Sequence, residues 1–203
     1  MADDIAAWRP FVTLVVAAIV VMGSPGPSTM SVTAVGAAFG LRRSMGYFSG
    51  LVAGTIAVLV AVATGVVSLL LSVPYAAPVL VAASAAYILY LAYRIATAPP
   101  LSKLRGDVAA PSFAGGFALA IANPKAYVAI AAVFAGTTLA DDPAPDALLK
   151  TTVLAAMIVA IHMAWLLAGT AFSRVFYDPV RARVANALFA TALVATAVIA
   201  FMP

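Results

Sequence analysis

Six apolar runs dominate this chain, near residues 10 to 39, 45 to 72, 75 to 97, 112 to 138, 148 to 172 and 183 to 202. About 20 helical residues cross the roughly 30 Å of hydrocarbon in a bilayer, so each run is long enough to span one. Lipid offers no partner to a backbone N–H or C=O, which leaves only helices or a closed barrel as spanning structures. Barrel strands alternate in segments of about ten residues, whereas these runs are continuous and far longer. The expected fold is therefore an all-α integral membrane protein with six transmembrane helices, forming one domain over residues 1–203. Composition agrees, with 65% hydrophobic and 9% charged residues, against roughly 25% charged in a soluble domain. In water a chain of this size buries only about 70% of its unfolded surface, and much of this Ala, Val and Leu would stay exposed. The start, Met1-Ala2-Asp3-Asp4, is acidic where a cleaved signal peptide is basic, so the first run reads as a retained span.

The charges between the runs are asymmetric. Arg42 and Arg43 follow the first run, Arg94, Lys103 and Arg105 follow the third, and Arg174, Arg181 and Arg183 surround the link between the fifth and sixth. These eight of the eleven basic residues fall on one side, while Arg9 and Lys150 share the other with Asp3, Asp4, Asp141, Asp142 and Asp146. The positive-inside rule then puts both termini outside the cytoplasm. The net charge of +4 comes from residues scattered singly, which is no nucleic-acid footprint. Without cysteine there are no disulfides, thiolate metal sites or thiol chemistry.

Two runs carry a polar, proline-containing break near the middle: Gly23-Ser24-Pro25-Gly26-Pro27-Ser28 in the first and Asn123-Pro124-Lys125 in the fourth. Three spans separate them, so the natural architecture is a 3+3 inverted repeat with discontinuous first and fourth helices and halves near 1–100 and 101–203. Each proline removes a donor and collides with the carbonyl four residues back, freeing acceptors at Val21, Gly23 and Ala120. Ser24-Pro25 and Asn123-Pro124 also read as fresh helix starts, a cap residue followed by proline at the first helical position. Two such starts, each with a partial positive charge, would converge with the Lys125 ammonium on one zone suited to a carboxylate. The bland alternative for each break is a simple proline kink.

Lys125 lies about 18 Å from either end of its span, too far to snorkel well. A charge at that depth costs about 2.5 to 3.5 kcal/mol and usually serves a function, here carboxylate binding or proton carriage. His162, the lone histidine, is a second coupling candidate near the centre of the fifth span, although a buried histidine is more often a hydrogen-bonded core residue. No Asp or Glu falls inside a span, which leaves metal coordination without ligands, and no cofactor or metal is expected. Gly46, Gly50 and Gly54, and Gly36 with Gly40, read as close-packing surfaces. Trp165, Tyr87 and Tyr90 read as packing residues with a polar tip.

These stretches resemble the LysE family of amino-acid exporters. Ser24-Pro25-Gly26-Pro27, Gly40 to Gly54 around Arg42 and Arg43, Ala85 to Leu91, and Phe113 through Asn123-Pro124-Lys125 follow the family's order across essentially the whole chain. The resemblance implies a bacterial inner-membrane secondary exporter of amino acids, driven by exchange for protons. The acidic residue that some members carry in the fifth span is absent, with His162 nearby. Substrate binding is expected from Ser24, Pro25, Gly26, Pro27, Ser28, Asn123, Pro124 and Lys125, with Lys125 and His162 as coupling groups. Spans without acidic residues favour neutral over basic amino acids. Expected partners are a small amino-acid substrate and membrane lipid, with a homodimer left open.

Two other classes compete. An intramembrane serine protease would pair His162 with a serine at the same depth, for which Ser24, Ser28 and Ser31 qualify by depth alone. A structural membrane subunit would have its polar breaks buried by a partner and closed to water.

Overall fold

The computed structural model describes residues 2–65, 76–97, 110–172 and 178–201. Lys103, Arg105 and Arg174, the end of the second run and the side chains of Asp3, Asp4 and Tyr87 lie outside the described residues. Every regular element among the described residues is helical: α1 (Ala2–Ala17) running into a π-turn (Ala18–Met22), α2 (Pro27–Ala63), α3 (Ala76–Ala96), α4 (Phe113–Ala122), α5 (Pro124–Ala135), α6 (Pro143–Ala171) and α7 (Pro179–Phe201). By length and composition α2 and α6 are each apolar enough to cross a membrane, and α4 and α5 meet the same test only as a pair bent by 63° at Asn123, the geometry of a broken span or a re-entrant loop. Large apolar side chains stand exposed on the outside, among them Val128 at 70% and Leu188 at 66%, a surface that suits lipid better than water.

Four helices begin on proline: Gly26-Pro27, Asn123-Pro124, Asp142-Pro143 and Asp178-Pro179. Proline at this position gives up an N–H that the helix would leave unpaired anyway. Asp178 Oδ1 accepts from the N–H groups of Val180 and Arg181 at 3.0 and 2.9 Å, and Ser112 Oγ accepts from Gly115 N at 3.3 Å. The first break starts its helix two residues later than Ser24-Pro25 suggests. Gly26 is the cap, and its N–H donates to Thr29 Oγ1 at 2.9 Å, the backward half of a capping box. Ser24 instead turns its hydroxyl back onto Val21 O at 2.8 Å.

α2 is a helical hairpin. Gly40 at its middle has φ 75° and ψ 167°, a left-handed φ that glycine adopts without strain. Tyr47 OH donates to Ser31 Oγ at 3.0 Å, yet sixteen residues of straight helix span about 24 Å, more than the two side chains cover. The chain must double back. Ser44 Oγ closes the corner on Gly40 O at 2.7 Å. Where a loop of residues 40–44 was expected between the first two runs, a single residue makes the turn.

Backbone contact between helices follows the glycines. A Cβ on Gly50 would collide with Phe113 O, one on Gly116 with Tyr47 O, and one on Gly169 with Thr33 O, so α2 is pressed against α4 and α6 with main chain touching main chain. Gly46 faces open space, and the close-packed stripe starts at Gly50. At the other end of α5, Lys150 and Asp146 form an ion pair at 2.7 Å. The Lys150 ammonium also donates to Phe134 O at 3.0 Å and Thr137 O at 3.1 Å. Asp146 Oδ1 accepts from Leu139 N at 2.6 Å. Both residues, expected as charges on the outer side, are buried and clasp the α5–α6 connection.

Among the described residues, buried apolar side chains form a small cluster at Ala37 and Ala182 and two large ones. One collects Val32, Val35 and Phe39, Tyr47 and Leu51, Ile88, Leu91 and Ile95, Leu119 and Ala120, Leu166 and Leu193. The other holds Leu14, Ala18, Val58, Leu59, Ile130, Val133, Leu154 and Ile158. Four stretches of chain pass from one cluster to the other, and each carries polar residues at the crossing. Ser24 to Thr29 lie between Ala18 and Val32, Thr55 between Leu51 and Val58, Asn123 between Ala120 and Ile130, and His162 between Ile158 and Leu166. The fold thus has a polar waist between two apolar halves.

Candidate functional site at the polar waist

The carbonyls that the prolines free do not stay free. Val21 O takes the Ser24 hydroxyl, Gly23 O takes the Trp165 indole N–H at 3.1 Å, and Ala120 O takes Asn123 N at 3.3 Å. Tyr127 OH covers Ile121 O at 2.8 Å, whose usual donor, Lys125 N, is bound to Asn123 Oδ1 at 3.1 Å. An unpaired buried carbonyl costs on the order of 1 to 3 kcal/mol, so each of these bonds helps the break persist. The expectation that Val21, Gly23 and Ala120 would offer empty acceptors is thereby corrected. Trp165 and Tyr127 close the breaks; for Trp165, expected as a packing residue with a polar tip, the indole N–H is that tip, and Tyr127 was not expected.

The two breaks meet. Asn123 Nδ2 donates to Ser28 Oγ at 2.7 Å across 95 residues of sequence. Lys125 Nζ lies 2.8 Å from each of Ser24 O, Ser24 Oγ and Pro25 O. Because the Ser24 hydrogen is already given to Val21 O, all three oxygens act as acceptors toward the lysine. Only the ammonium form has three hydrogens to give. The approach depends on Gly26, where a Cβ would lie 2.7 Å from Lys125 Cδ and 2.8 Å from Nζ. Lys125, on the first turn of α5, therefore places its ammonium on two carbonyl oxygens and a hydroxyl oxygen of the opposite break, beside the Gly26 cap of α2.

A cavity of about 40 Å³ lies against these groups, lined by Ser24, Gly26, Ser28, Asn123, Lys125 and His162 from the expected set, with Met22, Thr29, Thr55, Ala126, Ala129 and Ile130 beside them. It exceeds the ~30 Å³ of one water and falls far short of the ~300 Å³ of pockets that enclose small ligands. Pro25, Pro27 and Pro124 are not in its wall; they shape the backbone that is. Thr29 and Thr55 were not expected. Their only sequence signal is a hydroxyl within an apolar run, and Thr55 follows Gly54 of the close-packed stripe.

His162 is 5% exposed, and its Nδ1 sits 2.8 Å from Ile158 O. Only an N–H can meet a carbonyl, so Nδ1 carries hydrogen and the neutral ring keeps its lone pair on Nε2. Nε2 is buried and has no partner among the described residues. The serines at this depth are engaged elsewhere: Ser24 with Val21 O and Lys125, Ser28 with Asn123, Ser31 with Ser28 O and Tyr47. No serine–histidine pair forms among these groups.

Residues 19–202, which include both breaks, match the family model described as LysE type translocator. The chain belongs to that family. Cysteine/O-acetylserine efflux proteins of Escherichia coli strain K12, Shigella sonnei and Shigella flexneri are similar to this LysE-type chain, each 32% identical over 155 residues, covering 75% of this chain and 78% of theirs. No solved structure matches it. Family membership and the apolar helices make this translocator a membrane protein, and at its polar waist the Nε2 of His162 has no partner among the described residues.

Proposed function

We propose that this LysE-type translocator is a secondary exporter of small neutral amino acids in a bacterial inner membrane. Its architecture would be six spans in two inverted three-helix halves with both termini periplasmic. The single observation that carries the reading is the cavity between the two breaks, with the polar groups of Ser24, Ser28, Asn123, Lys125 and His162 in its wall and an apolar cluster on either side. Unwound backbone at mid-depth and half-helix starts facing one another are how transporters build a substrate site. The efflux proteins it resembles are named for cysteine and O-acetylserine, both small α-amino acids with uncharged side chains. Among the described residues the cavity wall holds no carboxylate to answer a second cationic group, so lysine and arginine are poor substrates. Exchange for protons completes the cycle, with Lys125 and His162 as the groups at the cavity able to carry one.

Counterflow in proteoliposomes tests this directly. Vesicles loaded with O-acetyl-L-serine or another small neutral amino acid should accumulate the labelled compound above the level of empty vesicles, and unlabelled lysine should compete at least about tenfold more weakly. No counterflow with any neutral amino acid rejects the exporter, and equal competition by lysine rejects the selectivity.

A further inference from the structure

We infer that Lys125 is a built-in stand-in for the substrate's α-ammonium, and that binding is an exchange of one ammonium for the other. The inference rests on the exporter reading above and adds to it how the substrate is recognised. Three acceptors converge on Lys125 Nζ at 2.8 Å, two backbone carbonyls and a serine oxygen whose own hydrogen is spent. Such a cage fits a primary ammonium of any origin. The lysine fills it from the opposite break, so the cage becomes available to the adjoining cavity only when Lys125 leaves.

A lysine that leaves needs a new counter-group, because among the described residues the cavity wall supplies no carboxylate and an unpaired charge at this depth is costly. An α-amino acid brings both halves of the exchange. Its ammonium takes the three oxygens, and its carboxylate receives the released Lys125. A carboxylate without an amine would draw Lys125 away and leave the cage empty. An amine without a carboxylate would fill the cage and strand Lys125. The zwitterion alone satisfies every group, and its binding removes the lysine's tie between the two discontinuous helices, leaving the Asn123–Ser28 bond as the described contact to be broken in a transport cycle.

Gly26 gives an independent handle. A Cβ there would lie 2.7 Å from Lys125 Cδ and 2.8 Å from Nζ, crowding the cage against the lysine and a substrate ammonium alike while leaving the lysine charge in place. The displaced atoms are the far end of a flexible side chain, so the fold tolerates Gly26→Ala.

The experiment measures binding to the purified full-length chain in nanodiscs, with O-acetyl-L-serine, its analogue without the carboxylate (O-acetylethanolamine) and its analogue without the amine (3-acetoxypropionate). Wild type should prefer the zwitterion at least about tenfold over either analogue. Lys125→Met should bind O-acetylethanolamine more tightly than wild type does and lose most of the preference for the zwitterion over it. Gly26→Ala should lose binding of both amine-bearing compounds. Equal binding of all three compounds by wild type, or an amine affinity that falls in Lys125→Met, overturns the exchange. Wild type that passes the counterflow test while failing this one keeps the exporter and discards the stand-in, and failure of both removes both.

Discussion

Asp146 illustrates how one side chain serves two elements. One oxygen caps the N–H of Leu139 and the other pairs with Lys150 one helical turn on. Hydrogen bonding to Lys150, followed by the bond from Leu139 N, holds its carboxyl below the ordinary value of 3.8. The folded chain therefore takes up this proton less readily than the unfolded chain. The stabilisation is fully present above the unfolded value and is lost as pH falls through the depressed folded one. Thermal unfolding in detergent should show wild type losing its advantage over Asp146→Asn as the buffer is taken from about pH 6 to about pH 3. A constant gap between the two proteins across that range would mean the carboxylate charge contributes nothing. The sequence reading saw Asp146 and Lys150 as charges on the outer side. Their burial depends on the path of residues 136–142, which no spacing in the sequence announces.

At the scale of elements, the glycines separate contact from mere exposure. Gly46, Gly50 and Gly54 share one face of the second arm of α2 by their four-residue spacing, and as a pattern they are equivalent. Only the placement of α4 distinguishes them, since Phe113 O lies against Gly50 and Phe117 O against Gly54, while nothing approaches Gly46. Gly50→Ala should destabilise the chain by about 1 to 3 kcal/mol, because backbone must shift to admit the methyl group. Gly46→Ala should change stability by about 0.5 kcal/mol or less. Denaturant titration of both variants in mixed micelles checks the contrast, and equal effects would show that α2 and α4 do not meet as described. The breaks tell a similar story. Proline position revealed that helices restart near residues 25 and 124, because the missing N–H and fixed φ are local properties. Whether Ser24 or Gly26 caps the first restart was decided by Thr29 reaching back and by Val21 O drawing the Ser24 hydroxyl away.

For the whole molecule, topology is the property carried by charge. The proposed periplasmic termini rest on the eight basic residues that a six-span topology would put on one side, so a reporter active only in the cytoplasm, fused after Pro203, should stay silent in cells where the protein inserts. Strong activity from inserted protein would reverse the orientation. The amino-acid sequence by itself determined that the chain is helical and belongs in lipid, because apolar run length and the need to pair every backbone group within a span are local constraints. It also located the two breaks, Lys125 and His162, since proline, charge and imidazole in an apolar run stand out without knowledge of neighbours. Only the tertiary structure decided what those groups touch. Lys125 reaches Ser24 and Pro25 across about a hundred residues, Trp165 seals Gly23 O, and Nε2 of His162 faces no partner among the described residues. Each of these depends on which helix faces pack together, and that is set by backbone approach at Gly50, Gly116 and Gly169 and by the reversal at Gly40. Long-range pairing follows the global packing, and no window of sequence contains it.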